Sequence, residues 1–166
     1  MKKLLFIVIL VLLAFVSVGC KKESISPSYV AAENIYSLDG DKYLIYFEKE
    51  TCSQCAQTLP YVIEYLTETS GKKGALNIYR VSLEYTDENG DTITLPISRA
   101  FDKADTGQGP NGNFYVNGVS DWIALYIAAA PSLVEISTVN GTKQSNLVAV
   151  GTTEIENYLN TLRNGK

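Results

Sequence analysis

The 166-residue sequence contains no histidine, only three cysteines, one tryptophan and one methionine. A structural zinc site takes four ligands, usually from two cysteine pairs or from one pair with histidines. Cys52 and Cys55 have neither a second pair nor a histidine to join them, so no metal is expected. Basic residues are the minority, 14 against 18 acidic, for a net charge of −4. Nucleic-acid binding calls for a basic patch, and this balance argues against it. No internal repeat is present. Beyond residue 19 there is no apolar run near the length of about 20 residues that a membrane helix needs.

The first 19 residues are the exception. MKKLLFIVILVLLAFVSVG has two lysines, an apolar middle and a small residue before Cys20, the layout of an export signal peptide. With the cysteine directly after Gly19, it resembles a bacterial lipoprotein signal, in which the peptide is cut before the cysteine and the cysteine carries lipid. Val18, Gly19 and Cys20 fit that pattern; Ser17 stands where the family usually has Leu, Val or Ile. An ordinary signal peptide or an uncleaved anchor would export the domain as well. The resemblance implies a protein at the cell membrane, lipid-anchored through Cys20 and facing outside the cytoplasm. Loss of residues 1–19 removes two lysines and no acids, leaving 12 basic against 18 acidic residues and a net charge of −6. Contact with an anionic membrane surface should then rest on the lipid rather than on charge.

Residues 20–28 follow as the anchor cysteine and a polar tether, read as flexible, and residues 29–166 as one domain. Within it the sequence predicts a short helix at 29–36, a buried strand at 42–47 and a helix at 52–68 with Leu59, Val62, Ile63 and Leu66 on one side. An alternating strand at 75–85 completes a strand-helix-strand unit, which makes its two strands parallel. Residues 86–119 are rich in Asp, Asn and Gly and read as an insertion. It holds at most a short helix near 97–104 and a little extended structure near 114–116. Asp87, Glu88 and Asp91 in it loosely suggest a calcium loop, without the full spacing. Ser120 is placed to cap a short apolar helix at 120–127. Strands at 131–137 and 145–150 form a hairpin across Asn140-Gly141, and an amphipathic helix at 152–163 ends the chain.

Cys52-Ser53-Gln54-Cys55 admits three readings. Half of a zinc site lacks its other half. A structural staple gains little, because so small a loop scarcely constrains the unfolded chain. A redox dithiol fits the placement at the end of a buried strand and the start of a helix. There the unpaired N–H groups and the positive end of the helix dipole favour a thiolate. The thiolate is the species that attacks disulfides. Cys52, in the opening turn, is the expected nucleophile and Cys55, one turn further in, the resolving thiol.

Together with other features, the CSQC segment after YLIYF resembles the active site of thioredoxin-like proteins. Pro60, eight residues after Cys52, stands where thioredoxins kink this helix. YIAAAPSLVEI, residues 126–136, is similar to the family segment that carries a cis-proline beside the dithiol, and Gly151 precedes the last helix. The resemblance implies an α/β thioredoxin fold: a central mixed sheet of four to five strands flanked by helices, with an insertion before the cis-Pro segment. It further implies that Ala130 and Pro131 form the substrate-binding loop, with a cis bond between them.

The chain departs from the family in three places. Thr51 replaces the tryptophan before the first cysteine, Tyr46 stands at the position of a buried acid, and Ser-Gln separates the cysteines. Glu48 or Glu50 could stand in for the missing acid, or be ordinary surface charges. The expected function is thiol-disulfide exchange with exported proteins, with no cofactor beyond an electron partner in the membrane or outside it. The alternative is a non-catalytic thioredoxin-like accessory or binding lipoprotein, as in bacteriocin export.

Overall fold

The computed structural model describes residues 23–99 and 116–165. Cys20 and residues 100–115 of the expected insertion lie outside them. In chain order the elements are β1 (Ser28–Tyr29), β2 (Lys42–Glu48), α1 (Ser53–Thr69), β3 (Ile78–Ser82), β4 (Glu84–Thr86), β5 (Thr92–Thr94), β6 (Ser132–Val139), β7 (Thr142–Val150) and α2 (Thr152–Arg163).

β2 is buried from Tyr43 to Glu48, the pattern of a strand covered on both faces. It pairs in parallel with β3 and antiparallel with β6, so the strand-helix-strand unit forms as its spacing predicts. β6 and β7 pair antiparallel across Asn140 and Gly141, whose positive φ values of 52° and 80° suit a two-residue hairpin turn. The five-stranded sheet has the order β1-β3-β2-β6-β7. A mixed sheet of this order, with a crossover helix after β2 and a closing helix after the β6-β7 hairpin, is a thioredoxin-like α/β fold.

Alternate residues of β2 serve opposite faces, as the strand pleat requires. Leu44 and Tyr46 pack with Leu133, Val62 and Tyr65 of α1, and Ile155 and Leu159 of α2. Tyr43, Ile45 and Phe47 face a second cluster with Val134, Ile136, Ile35, Leu83, Ile97 and Leu125. Both α-helices thus cover one face. Among the described residues the other face is closed by 3-10 turns and connecting segments.

Several local expectations change. The helix expected at 29–36 is instead β1 followed by a 3-10 turn at Ala32–Asn34, because Ser28 and Tyr29 pair with Tyr79 and Arg80 at the sheet edge. The tether is not free throughout: Pro27 is buried, and the Ile25 amide donates to Thr67 Oγ1 at 2.9 Å. The helix expected at 120–127 is a 3-10 turn, Trp122–Ala124. Its cap is Asp121 rather than Ser120, the carboxylate accepting from the Ile123 amide.

The strand expected at 75–85 breaks after Ser82. Leu83 turns into the core, its amide donating to the Glu48 carbonyl at 2.7 Å. Glu84–Thr86 then pairs with Thr92–Thr94 in a separate two-stranded sheet, inside what composition alone presents as a loop. Near Ile97 there is a turn, with Ser98 bridging Ile127; residues 100–104 of the helix expected there lie outside the described part.

Candidate redox site

β2 delivers the chain to the C-terminal edge of the sheet, and a short loop, residues 49–51, leads into α1. Cys52 is the N-cap of α1, with extended backbone (φ −89°, ψ 106°). Its Sγ accepts the Cys55 amide at 3.0 Å, so sulfur occupies the place an oxygen takes in an ordinary cap. Cys52 and Cys55 are joined in a disulfide, with Cα atoms 5.2 Å apart. Cys55 is 2% exposed while Cys52 is half-buried, an asymmetry that leaves one sulfur open to attack. Pro60 lies inside α1 and brings no N–H for the carbonyl one turn earlier.

The Ala130–Pro131 peptide bond is cis. The Ala130 carbonyl oxygen lies 3.5 Å from Cys52 Sγ, so the segment expected to bind substrate meets the sulfur expected to attack. Pro131 is buried and its carbonyl accepts the Gly151 amide at 2.9 Å. Gly151, at φ 80°, caps α2. Thr152 at the start of α2 meets Thr58 of α1 through their hydroxyls, 2.9 Å apart. The dithiol, the proline loop and the starts of both helices therefore form one connected group. Beside it an apolar recess of about 210 Å³ is lined by Tyr126, Ala128, Ala129, Ser132, Leu147 and Val150, among others.

No protein-family model matches the chain, and no curated protein matches it. Among solved structures it is similar to chloroplastic thioredoxin z. That comparison has a TM-score of 0.42 at 11% sequence identity and covers 86% of this chain and 99% of the other.

The positions that depart from the thioredoxin pattern have defined surroundings. Tyr46 is fully buried beneath α1, and its hydroxyl donates to the Cys55 carbonyl at 2.9 Å. Burial, reinforced by the negative charge of Glu48, pushes its pKa well above the ordinary tyrosine value, so it stays protonated. Glu48 is not a surface charge: it is 7% exposed and paired with Arg80 at 2.5 Å. It also accepts the Tyr29 hydroxyl at 2.9 Å, and Arg80 in turn stacks on the Tyr29 ring, 4.3 Å from its centroid. Glu50 is exposed. Asp87 turns back on its own hairpin, accepting the amides of Asn89 and Asp91, each at 2.9 Å, so its carboxylate is spent on the turn rather than held open for a cation.

One residue at the site escaped sequence reasoning. Glu84 is 7% exposed and accepts both the Thr51 hydroxyl, at 2.9 Å, and the Thr51 amide, at 3.3 Å. The Thr51 hydroxyl first, and then its amide, hold the Glu84 carboxyl below its ordinary value. The one signal in the sequence was an acid inside the strand-like run ALNIYRVSLEY, which reads as an outward-facing charge until the chain is seen to leave the sheet at Leu83.

Proposed function

We propose that the chain is a thiol-disulfide oxidoreductase, anchored through lipid on Cys20 and acting on cysteines of exported proteins. One observation carries the proposal: a Cys52–Cys55 disulfide at the N-terminus of α1, with its outer sulfur 3.5 Å from the Ala130 carbonyl. In the reduced form, the helix start and the Cys55 amide favour the Cys52 thiolate. That thiolate attacks one sulfur of a target disulfide, forming a Cys52–target bond and releasing the other target sulfur as a thiolate, which takes up a proton. Cys55, deprotonated, then attacks Cys52 Sγ, forming the internal disulfide and releasing the second target thiol. Two electrons pass from the dithiol to the target. Run backwards, the same steps oxidise a target dithiol, and the envelope's electron partner sets the direction.

Ala130 and Pro131 offer an extended edge on which a target strand aligns, and the neighbouring apolar recess suits a target side chain. The place where the chain joins the domain is compatible with an anchor at Cys20. The chain meets the body near Thr67, at the far end of a 17-residue helix from the dithiol. That is a separation of about 22 Å, so a lipid on Cys20 would leave the dithiol free to meet proteins in the aqueous space.

The test measures the Cys52/Cys55 redox equilibrium against glutathione, together with insulin reduction, in the wild type and in Cys52→Ser. Reversible cycling and turnover that vanish in Cys52→Ser are expected. A wild-type pair that cannot be cycled sinks the proposal. Cys55→Ser should trap exported proteins as mixed disulfides, and Cys20→Ser should release the protein from the membrane fraction.

A further inference from the structure

The dithiol is preceded by the loop 49–51, in which no residue is buried, and Thr51, next to Cys52, is small and exposed. Two elements approach that loop. β2 ends in Glu48, whose carboxylate is taken up by Arg80 and Tyr29. The β4-β5 hairpin contributes Glu84, whose Oε1 takes both donors of Thr51. The hairpin itself is fixed to the sheet edge: Leu83 bonds the Glu48 carbonyl at 2.7 Å, and Leu95 bonds the Leu83 carbonyl at 2.8 Å. Glu84 is therefore held from behind while its carboxylate grips the residue next to Cys52.

We propose that Glu84 is a positioning residue for Cys52, acting through Thr51 to hold the sulfur at the helix cap and in line with the Ala130 edge. The proposal rests on the reading of Cys52 as the attacking thiol. Its physical basis is that one held acceptor taking both the hydroxyl and the amide of a single residue fixes that residue's side chain and backbone together. Cys52 follows directly, so the direction of the Cys52 Cα–Cβ bond depends on a loop none of whose residues is buried. The other charges at this loop are Lys49, Glu50 and the Glu48–Arg80 pair. Lys49 and the Glu50 amide favour the Glu84 carboxylate, and the Glu48–Arg80 pair is neutralised internally. Glu84 is thus the one acid among the described residues that is bonded to the residue preceding the nucleophile.

The experiment follows attack of chemically reduced Cys52 on oxidised glutathione across pH in the full chain. It separates the plateau rate, where the thiolate is fully formed, from the midpoint of the profile. Glu84→Ala removes both bonds, and the plateau should fall about tenfold, the scale of a modest misplacement of reacting atoms. Glu84→Gln keeps a carbonyl acceptor for both Thr51 donors without the charge. Its plateau should stay near wild type while its midpoint moves to lower pH, because a negative neighbour has been removed. Thr51→Val deletes only the hydroxyl donor and should give an intermediate loss, which covers the case in which Glu84→Ala fails to fold. A wild-type plateau in Glu84→Ala or Thr51→Val, or a fall in Glu84→Gln as deep as in Glu84→Ala, overturns the proposal. Because the readout is the intrinsic reactivity of Cys52, it is obtained whether or not the protein turns over insulin or cycles with a partner.

Discussion

Arg80→Met isolates the interaction that most distinguishes this sheet edge. Glu48 is 7% exposed, and the Arg80 side chain 15% exposed, with 2.5 Å between their charged atoms. Removing one partner of a buried pair leaves the other charge desolvated and unmatched, at a cost of about 3–5 kcal/mol. Here the Tyr29 hydroxyl still donates to Glu48 and water reaches the Arg80 side, so the lower end applies, about 3 kcal/mol. For a chain of this size that corresponds to a fall in Tm of about 6–12 °C. Met keeps an apolar side chain of similar length but loses the guanidinium that lies over the Tyr29 ring, so the loss reports the charge together with that stacking. The double variant Glu48→Gln/Arg80→Met removes the stranded charge and should recover more than half of the loss. Urea unfolding of the oxidised protein, followed by circular dichroism, measures all three. The reasoning fails if Arg80→Met costs less than about 1 kcal/mol, the range of an exposed pair. It also fails if the double variant is no more stable than Arg80→Met.

Two further outcomes follow from the site. Tyr46→Phe deletes the hydroxyl that bonds the Cys55 carbonyl and should cost about 1 kcal/mol in urea unfolding. Since burial keeps Tyr46 protonated, the pH profile of Cys52 alkylation should not move; a displaced profile would show the hydroxyl taking part in proton transfer. Glu84 has its carboxyl held below the ordinary value of 4.5, so it binds fewer protons folded than unfolded. Its contribution to stability is complete above that ordinary value and is lost as pH falls through the lower folded one. Urea midpoints measured from neutral pH down to about pH 3 should decline less steeply in Glu84→Gln; parallel curves would refute the linkage.

Much of the fold lies in local pattern. The apolar run of β2, the 3.6-residue spacing in α1, the Asn-Gly turn and the amphipathic last helix are each set by residues close in the chain. Short-range rules therefore find them. The pairing of β2 with β3 follows from connection length, and the position of Cys52 at a helix start follows from the strand before it. Where local patterns were weak, tertiary contacts decided. Ser28 and Tyr29 became a strand because an open sheet edge lay beside them, and Trp122–Ala124 stayed a 3-10 turn capped by Asp121.

The chemistry divides along the same line. Sequence alone determined that two thiols would sit at a helix N-terminus, without histidines or a second pair to make them a metal site. Only the tertiary structure decided what surrounds them. Alternation cannot say whether an acid in a strand-like run faces water or another segment 33 residues away, and so Glu84 and its hold on Thr51 were hidden. Nor can it say whether a glutamate near the site is free: Glu48 is tied to Arg80, 32 residues on, and Tyr29, 19 residues back. Hydrogen bonds and ion pairs depend on distances of a few ångströms between atoms far apart in the chain, and those distances exist only once the sheet has closed.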